Sequence, residues 1–510
     1  MAKQPIDYSV YLVTDSTPAI LGANRSLVQV VEQALRGGAS VVQLRDKKSA
    51  HQEVVATARE LHALTRRWGV PLLINDRVDV AAEVGCEGVH VGQDDMNIME
   101  ARNILGHDKI IGVSARSPKE ALAACEAGAD YLGIGAVYAT ATKTDTPAIL
   151  GPEGVQAVLS ALVEAGYASV PTVAIGGIDT ENAMSVLSGS QDPRKGLDGV
   201  AVVSAIISAS EPMAAAQSLH STVLRSRIPN VIGSIARTKP LSHNMTNLVV
   251  QNFAANVALA IGASPIMSNY AREAPDLAKL GGALVINMGT VTPEGLENYV
   301  EALKAYNDAG RPVVLDPVGA GATSVRREAV KKLLSAGRFA VIKGNVSEML
   351  TVYGANSHAQ RGVDSSSTLS LAPRAFLARA IARLYGCISV ITGETDVVSD
   401  GRQTIRVDNG HELLGAITGS GCSLGTVLSA AVAAYEADLL LAAVAAVATY
   451  GVAAQAAAVR TEVRGPGTFV PAFLDELHVV STISAAGGSS WQDLIRAEAI
   501  EVEDETSLAE

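Results

Sequence analysis

The chain has 510 residues, which is too long for one ordinary hydrophobic core and favours two or three domains. It contains 48% hydrophobic residues and 46 glycines but only 5 phenylalanines and 2 tryptophans, a balance typical of α/β proteins with Val/Ile-rich strands and glycine-rich turns. The net charge of -12 excludes a broad basic surface, so we expect no nucleic-acid partner, and any phosphate chemistry must use local cations.

The cysteines and the apolar segments bear on the compartment. The four cysteines match neither a metal-binding spacing nor a disulfide framework, which favours a reducing, cytoplasmic environment. They are Cys86, Cys125, Cys387 and Cys422. The first five residues do not resemble a signal peptide. The uncharged segment from Leu439 to Val459 is long enough to cross a membrane, but its alanine content predicts a buried helix instead, so we expect no membrane partner.

In chain order, the first half alternates short Val/Ile/Leu runs with helix-length amphipathic segments such as Leu27 to Arg36. The predicted strands are Val10–Asp15, Ser40–Asp46, Pro71–Asp76, Gly88–Gln93, Ile110–Ala115, Tyr131–Val137, Pro171–Ile178 and Gly199–Ile206. Eight strand-and-helix units within about the span of one small barrel predict a closed (β/α)₈ TIM barrel, in which chemistry belongs at the carboxyl ends of the strands.

The second of these strands ends in cationic residues. In an extended chain Gln43, Arg45 and Lys47 point to the same face, and two cations with an amide are costly to bury without an anion. We interpret them as a clamp for phosphate oxygens. The alternative is a solvated edge strand with scattered charge.

Two acidic residues follow neighbouring strands. Asp76 ends the third strand and Asp95 follows the fourth, a pair that suits one Mg²⁺ together with substrate oxygens and water. Two solvated carboxylates are the alternative interpretation. His90, in the fourth strand, is either catalytic or a hydrogen-bonded barrel residue.

A second anion site is predicted at the other strand ends. Thr140, Thr142 and Lys143 combine two hydroxyls with a cation, while Gly176–Gly177 and Ser204 match the phosphate cradle often found after the last two barrel strands. Two anion-binding ends and a metal fit two phosphorylated substrates better than one.

The strand-and-helix rhythm breaks at a basic, proline-containing stretch, Arg225 to Asn230, before which the last barrel helix should end. We place the domain boundary near residue 228, giving domains 1–228 and 229–510. The second half is also α/β, and a mainly parallel sheet covered on both faces is expected. Its predicted strands are Ala283–Met288, Pro312–Asp316, Phe339–Lys343 and Ile388–Thr392.

Glycine clusters follow several strands of the second half. Thr418 to Cys422 opens an alanine-rich helix, where converging N–H groups and the helix dipole favour an anion. Cys422 should there be biased toward thiolate and is a candidate base, the alternative being an inert buried thiol. Asn345 and Glu348 could orient Mg²⁺ through water, with Asp316 nearby. No P-loop pattern is present.

These motifs carry a resemblance to two enzyme families. The first half resembles thiamine-phosphate synthase through Gln43–Lys47, Ile74–Arg77, His90–Asp95, Gly112–Ser114, Thr140–Lys143 and Ile175–Ile178. The second half is similar to hydroxyethylthiazole kinase, a ribokinase-like α/β enzyme, through His243–Asn247, Gly262–Met267, Asp316–Thr323, Ile391–Glu394, Thr418–Cys422 and Gly451–Gln455. The ordered motifs span nearly the whole chain, and their fusion resembles the bifunctional fungal type.

The synthase resemblance implies roles for the barrel residues. The residues that would hold the aminopyrimidine methyl diphosphate are Gln43, Leu44, Arg45, Asp46, Lys47, Asn75, Ser114 and Lys143, with Mg²⁺ on Asp76 and Asp95. Those that would hold the thiazole phosphate are Thr140, Ala141, Thr142, Gly177, Val203 and Ser204. Arg45, Lys47 and Lys143 would stabilise charge growing on the leaving diphosphate.

The kinase resemblance implies that Met267 and Gly419 contact hydroxyethylthiazole. Arg326, Thr392, Asn345 and Glu348 would serve ATP and its metal ion. Cys422 stands where most ribokinase-like enzymes carry an aspartate base, and positioning supplies much of phosphoryl transfer in any case. The resemblance also implies a homo-oligomer built on a kinase trimer, such as a hexamer.

Two other functions compete with this interpretation. The barrel could be a catalytically silent sensor of thiazole phosphate, although Arg45, Lys47, Asp76, Asp95 and Lys143 form a diphosphate and metal set that a sensor would not need. A phosphosugar isomerase fused to a sugar kinase is the other alternative, and it leaves two anion sites and a metal pair unexplained.

Overall fold

The computed structural model describes residues 6–140, 149–354 and 369–502, and it divides the chain into two compact units, residues 1–227 and 228–510. In the first unit eight parallel strands close into a barrel, each paired with its neighbours in chain order and the eighth with the first. The strands are β1 (Val10–Val13), β2 (Val41–Leu44), β3 (Leu72–Asn75), β4 (Gly88–Val91), β5 (Ile110–Ala115), β6 (Tyr131–Gly135), β7 (Thr172–Ile175) and β8 (Gly199–Val202).

Helices follow the strands and form the outer layer of the barrel unit. They are α1 (Pro18–Leu21), α2 (Leu27–Arg36), α3 (His51–Trp68), α4 (Val78–Val84), α5 (Ile98–Leu105), α6 (Pro118–Glu126), α7 (Gly151–Glu164), α8 (Ala183–Gly189), α9 (Ser204–Ile207) and α10 (Pro212–Thr238). Helix α2 begins where the Ser26 side chain accepts a hydrogen bond from the Gln29 N–H, and its buried face includes Val31 and Leu35. The predicted TIM barrel is therefore confirmed.

Side chains alternate between two layers along each barrel strand. In β2, Val41 lies in the small cluster inside the barrel with Tyr11 and Tyr131, whereas Val42 and Leu44 belong to the larger core between strands and helices. Gln43 shares the inward parity of Val41, so it is the rim residue that β2 directs into the barrel. Truncating a buried leucine of such a core to alanine costs about 2 to 5 kcal/mol.

Two boundaries differ from the sequence prediction. The eighth strand ends at Val202 rather than Ile206, because Ser204 begins helix α9. The stretch from Arg225 to Asn230 is not a connection: α10 runs unbroken from Pro212 to Thr238 and includes Pro229. A proline inside a helix costs about 3 kcal/mol, and the burial of Ile228, Val231, Ile232 and Ile235 along one side of the helix offsets it.

The second unit contains one nine-stranded sheet, in the order β10-β9-β11-β12-β13-β14-β15-β16-β17. Its strands are β9 (Leu241–Met245), β10 (Ser264–Ile266), β11 (Ala283–Asn287), β12 (Val313–Asp316), β13 (Val341–Asn345), β14 (Ile388–Thr392), β15 (Asp396–Ser399), β16 (Thr404–Val407) and β17 (Ala497–Ala499). Pairing is parallel from β10 to β14 and antiparallel from β14 to β17. The expected mainly parallel sheet is thus confirmed, with an antiparallel edge.

The described part of the unit also contains nine α-helices. They are α11 (Gln251–Ala260), α12 (Ala274–Leu280), α13 (Pro293–Asp308), α14 (Ser324–Ala336), α15 (Val346–Tyr353), α16 (Leu371–Tyr385), α17 (Ser420–Ala434), α18 (Leu439–Ala458) and α19 (Pro466–Ala485). Helix α18 is long and apolar enough to cross a membrane, yet 78% of its most apolar window is buried inside the protein. It packs between α17 and α19, as a buried core helix does.

Candidate active sites

The acidic and cationic residues predicted at the barrel rim meet. Lys47 Nζ lies 3.0 Å from the Asp76 carboxylate, and the Asp95 carboxyl group is close to Asp76. Burial raises the pKa of Asp95, and the neighbouring Asp76 raises it further. Asp76 has a φ of 60°, a left-handed conformation that is unfavourable for a residue with a side chain and that is often found at functional sites.

This acidic pair fits one divalent cation. The two carboxylates repel when both are ionised, and a bound Mg²⁺ would relieve that repulsion. Among the described residues, no group of three or more His, Cys, Asp or Glu side chains could hold a metal. An ion here would therefore take its remaining ligands from substrate oxygens and water.

Backbone contacts hold Asp95 in place. Its Oδ2 accepts a hydrogen bond from the Gly92 N–H at 2.7 Å. A Cβ atom at Gly92 would lie 2.9 Å from that same oxygen, so the close approach depends on glycine. On the other side of the pair, the Asp76 N–H donates to the His90 carbonyl at 2.9 Å, which joins the ends of β3 and β4. These contacts therefore fix the direction of the Asp95 carboxylate and the backbone position of Asp76.

Arg45 has a partner that the sequence analysis did not single out. Its Nη1 lies 3.5 Å from Asp15 Oδ2, and Asp15 also accepts hydrogen bonds from the Thr17 N–H and hydroxyl. Asp15 is buried and follows β1, so it can hold the guanidinium over the rim. The sequence did contain a signal for this partner, because the predicted first strand ends in the acidic residue Asp15.

Leu44 and Asp46 do not belong to the clamp by their side chains. Leu44 is buried in the core between strands and helices, because its parity is opposite to that of Gln43. Asp46 Oδ1 accepts hydrogen bonds from the Lys48 and Ser49 N–H groups, each at 3.0 Å. Burial acts to raise the pKa of Asp46, but these N–H donors lower it overall. One side chain therefore packs the core and the other shapes the loop, and a substrate contact of either residue stays a prediction.

The interior of the barrel joins Gln43 to Ser114. Gln43 Nε2 donates to the Tyr11 hydroxyl at 2.6 Å, and the Tyr11 and Tyr131 hydroxyl oxygens are 2.7 Å apart. His90 Nδ1 lies 2.7 Å from the Tyr131 hydroxyl, while His90 Nε2 lies 2.9 Å from Ser114 Oγ. His90 is thus a hydrogen-bonded barrel residue, the second of its two predicted roles.

The predicted second anion site lies at the ends of β6 to β8. Gly177 has a φ of +68°, and a Cβ there would lie 2.7 Å from the Ala139 carbonyl oxygen, so only glycine suits this turn. Val203 and Ser204 follow β8, and Thr140 lies in the segment after β6. Ala141, Thr142 and Lys143 fall outside the described residues. Asn75 ends β3, in register with His90.

In the second unit Cys422 lies in the first turn of α17, at one end of a polar chain. Asn247 Nδ2 is 3.5 Å from its Sγ and also donates to Asn287 Oδ1 at 3.0 Å. Asn287 Nδ2 in turn donates to Asp316 Oδ2 at 2.8 Å. Asn247 and Asn287 were not predicted as site residues, and nothing in their local pattern distinguished them from strand-end amides.

The expectation that Cys422 is biased toward thiolate is wrong. Burial raises the pKa of the Cys422 thiol and the Asp316 charge raises it further, while Lys343, Asn287 and Asn247 only partly oppose them. The helix start therefore does not decide the protonation state, because a buried carboxylate faces the same thiol.

Lys343 is the cation that the sequence analysis missed. Its Nζ lies 3.1 Å from Asp316 Oδ1, and both side chains are almost completely buried. Although burial acts to lower it, the nearby Asp316, Glu348 and Cys422 raise the pKa of Lys343, so the ammonium stays charged. A Cβ at Gly421 would lie 3.6 Å from Nζ, which places the charge at the start of α17. The lysine had been counted only as the end of a strand.

Asn345 and Glu348 form the amino-terminal cap of α15. Asn345 Oδ1 accepts from the Glu348 N–H at 3.0 Å, and Glu348 Oε2 accepts from the Asn345 N–H at 2.8 Å. Glu348 Oε1 also binds the Gly319 N–H at 2.8 Å. Burial and the neighbouring Asp316 raise the pKa of Glu348 to about 7. These groups hold two loops together, and their predicted contact with metal-bound water stays a prediction.

Arg326 is engaged by the protein itself. Its Nη1 donates to the Met288 and Val318 carbonyl oxygens, each at 2.6 Å, and its Nη2 donates to the Gly289 carbonyl at 2.9 Å. The guanidinium therefore joins two loops, and its predicted contact with ATP stays a prediction. Thr392, by contrast, lies beside Asn345 at the sheet edge where β13 and β14 end.

The two predicted thiazole contacts in the second unit lie in loops. Met267 directly follows β10 and is half-buried. Gly419 precedes α17 with a φ of +87°, and a Cβ there would lie 2.5 Å from a Val250 methyl carbon. The close approach of Val250 therefore excludes any larger residue at position 419.

A barrel rim with an acidic pair and cations, followed by an α/β unit with a charged helix start, defines a two-domain transferase of small phosphorylated compounds. Family models match both halves: Thiamine monophosphate synthase over residues 10–206 and the Hydroxyethylthiazole kinase family over residues 232–482.

Two relatives match this chain over nearly their full length. The "Probable thiamine biosynthetic bifunctional enzyme" of Schizosaccharomyces pombe is 38% identical, covering 98% of this chain and 100% of its own. The "Thiamine biosynthetic bifunctional enzyme" of Saccharomyces cerevisiae is 37% identical, covering 93% and 96%. A "Hydroxyethylthiazole kinase" of Desulforudis audaxviator is 46% identical over 53% of this chain and 97% of its own. The chain belongs to the family of thiamine biosynthetic bifunctional enzymes, with a thiamine-phosphate synthase domain followed by a hydroxyethylthiazole kinase domain that uses ATP.

Proposed function

We propose that the kinase domain phosphorylates hydroxyethylthiazole and that the barrel joins the resulting thiazole phosphate to aminopyrimidine methyl diphosphate, giving thiamine phosphate and diphosphate. The observation that carries the barrel half is the convergence of Lys47, Asp76 and Asp95 at one rim. A sensor of thiazole phosphate would not need this set.

In the barrel, Asp76 and Asp95 would hold Mg²⁺, which neutralises negative charge on the diphosphate when bound. Lys47 and Arg45, the latter oriented by Asp15, contribute positive charge where the leaving diphosphate becomes more negative. The C–O bond to the diphosphate breaks, and the thiazole nitrogen attacks the pyrimidine methylene carbon. Gly177 after β7, with Val203 and Ser204 after β8, would position the thiazole phosphate for that attack.

In the kinase domain, the start of α17 and Lys343 face the transferred phosphoryl group. Lys343 brings a charge that Asp316 holds in place, and Gly419 and Gly421 leave room for close approach of the backbone. The alcohol of the thiazole loses its proton as the phosphoryl group arrives, and Cys422 is the nearby candidate acceptor. Because its thiol is neutral at rest, positioning and charge stabilisation supply most of the rate enhancement.

The state and place of the protein are further parts of the proposal. Leu248 and Val249 are exposed beside the site residue Asn247, which supports a homo-oligomer built on a kinase trimer, such as a hexamer. Leu248→Asp should dissociate the oligomer in sedimentation velocity, and an unchanged mass would contradict that interface.

All four cysteines are free, which supports a cytoplasmic location, and microscopy of the tagged protein tests it.

The full chain with hydroxyethylthiazole, aminopyrimidine methyl diphosphate, ATP and Mg²⁺ should form thiamine phosphate. Replacing ATP and the thiazole with thiazole phosphate isolates the barrel reaction. At a Mg²⁺ concentration that suffices for wild type, Asp95→Asn should slow that reaction while thiazole phosphorylation continues. If wild-type protein makes thiazole phosphate but no thiamine phosphate, the barrel is a sensor and the proposal fails.

A further inference from the structure

Five polar side chains from five strands form a continuous hydrogen-bonded chain across the barrel, buried except at the partly exposed Ser114. In order they are Gln43 on β2, Tyr11 on β1, Tyr131 on β6, His90 on β4 and Ser114 on β5. Only its two ends, Gln43 and Ser114, were predicted to contact the pyrimidine substrate. The two tyrosines had no assigned role, and as fully buried phenols in a barrel core they require a reason for being polar.

The chain has a direction because each phenol carries a single proton. Gln43 Nε2 can only donate, so the Tyr11 oxygen accepts from it and the Tyr11 proton passes toward Tyr131. The Tyr131 proton is then directed to His90 Nδ1, which must be the unprotonated nitrogen. Burial raises the pKa of both tyrosines, so both phenols keep their protons.

The direction sets opposite roles at the two ends. With Nδ1 as acceptor, a neutral His90 carries its proton on Nε2 and donates it to Ser114 Oγ. Ser114 then has its own hydroxyl proton to offer. At the other end, the bond from Nε2 to Tyr11 turns the amide so that Gln43 Oε1 lies away from the tyrosine as an acceptor.

We propose that Tyr11 and Tyr131 are positioning and specificity residues. Through the hydrogen-bonded chain from Gln43 to Ser114, here called the relay, they make Gln43 an acceptor and Ser114 a donor toward the pyrimidine ring. The inference rests on the proposed barrel reaction. An aminopyrimidine offers the complementary pattern, since its exocyclic amine donates and its ring nitrogens accept. The 4-oxo analogue, with a carbonyl and a ring N–H, offers the reverse.

Packing around the Tyr131 ring holds the hydroxyl groups of the relay within hydrogen-bond distance. A Cβ at Gly112 would lie 2.0 Å from the Tyr131 ring, so glycine makes space for that tyrosine beside β5. The Tyr131 ring is 5.8 Å from Tyr11 and 5.5 Å from His90 between centroids, which keeps the hydroxyls aligned. Tyr8 packs on the same ring at 4.7 Å, and its hydroxyl forms none of the four relay bonds. Tyr8→Phe is therefore a matched control.

The test compares aminopyrimidine methyl diphosphate with its 4-oxo analogue as substrates of the full-length protein, with thiazole phosphate supplied. Wild type should prefer the amine in kcat/KM by about 100-fold or more, since a site built around hydrogen bonds rejects a mismatched analogue strongly. Tyr131→Phe and Tyr11→Phe should reduce this preference at least about tenfold. Tyr8→Phe should leave it within about twofold of wild type.

Preferences that stay at the wild-type value in both Tyr11→Phe and Tyr131→Phe would overturn the relay. A wild type that cannot use the amino substrate would instead overturn the proposed function, so the two failures are distinguishable. Independently, ¹⁵N NMR of histidine-labelled protein, with His90 assigned by His90→Gln, should show Nε2 protonated and Nδ1 bare. The opposite tautomer would mean the reverse direction and would also overturn the proposal.

Discussion

Lys343 and Asp316 form a buried ion pair in which Nζ lies 3.1 Å from Oδ1, next to Cys422 at the start of α17. Neither residue is exposed to solvent, so each charge depends on the other. The stability of the kinase domain therefore depends on both members of this ion pair being present.

Lys343→Met should lower stability by about 3 to 5 kcal/mol, because it leaves the Asp316 charge buried without a partner. The double variant Lys343→Met/Asp316→Asn should recover most of that stability in urea unfolding, since Asn287 can still donate to position 316. Kinase turnover should stay at least about 100-fold below wild type in the double variant, because the phosphate has lost its cation. Recovery of activity along with stability would limit the pair to a structural role.

Arg326→Gln should destabilise the protein by about 2 to 4 kcal/mol while leaving KM for ATP nearly unchanged, because three partly buried carbonyl oxygens lose their donor. Arg327 is the matched control, since its Nη1 donates to the Gly321 carbonyl alone. Thermal unfolding and ATP titration of Arg326→Gln and Arg327→Gln separate the two effects. A tenfold rise in KM for ATP without loss of stability would support the predicted nucleotide contact instead.

Asp95→Asn should raise the Mg²⁺ concentration needed for half-maximal synthase activity at least about tenfold, because one of the two carboxylates is lost. The variant should fold at least as well as wild type without metal, since it removes the repulsion from Asp76 that raises the pKa of Asp95. Asp94→Asn, in the same turn, is the control. Equal Mg²⁺ dependence in all three proteins would exclude a metal at the pair.

Cys422 should react slowly with iodoacetamide at pH 7, and the rate should keep rising above pH 9, because its pKa is raised and only the thiolate reacts. Asp316 raises the pKa of Cys422 and Lys343 lowers it. The double variant Lys343→Met/Asp316→Asn removes both charges and so tests which of the two has the larger effect on that pKa. Peptide mass spectrometry of the four cysteines as a function of pH gives the titration. A plateau below pH 8 would mean that the helix start dominates over burial.

The barrel was predictable because its strands repeat one pattern: a short apolar run followed by a polar residue. That pattern placed Arg45, Lys47, Asp76 and Asp95 at one rim before any contact was known. Parity within β2 also separates Gln43 from Leu44, yet motif membership grouped them together. The alternation that predicted the clamp gives the Leu44 side chain the opposite direction, into the core between strands and helices.

Other parts could not be predicted from local pattern. Lys343 acquires its role from Asp316, a residue on the neighbouring strand, and a lysine at a strand end has no local mark of burial. Arg326 is taken up by carbonyl groups of two distant loops, which only the fold reveals. Pro229 indicated a break, but the free energy of burying the residues around it favours a continuous helix.

Helix α10 has a practical consequence for anyone who separates the two activities. Residue 228 lies inside this helix, so a protease finds no flexible segment to cleave there. Limited proteolysis of the intact protein should therefore not separate the two domains at residue 228. If the two domains were expressed separately with the boundary at residue 228, each fragment would end in a frayed half of α10. Isoleucine and valine side chains that are buried in the intact protein would then be exposed to solvent. Fragments that overlap, both keeping 212–238, should be the soluble ones.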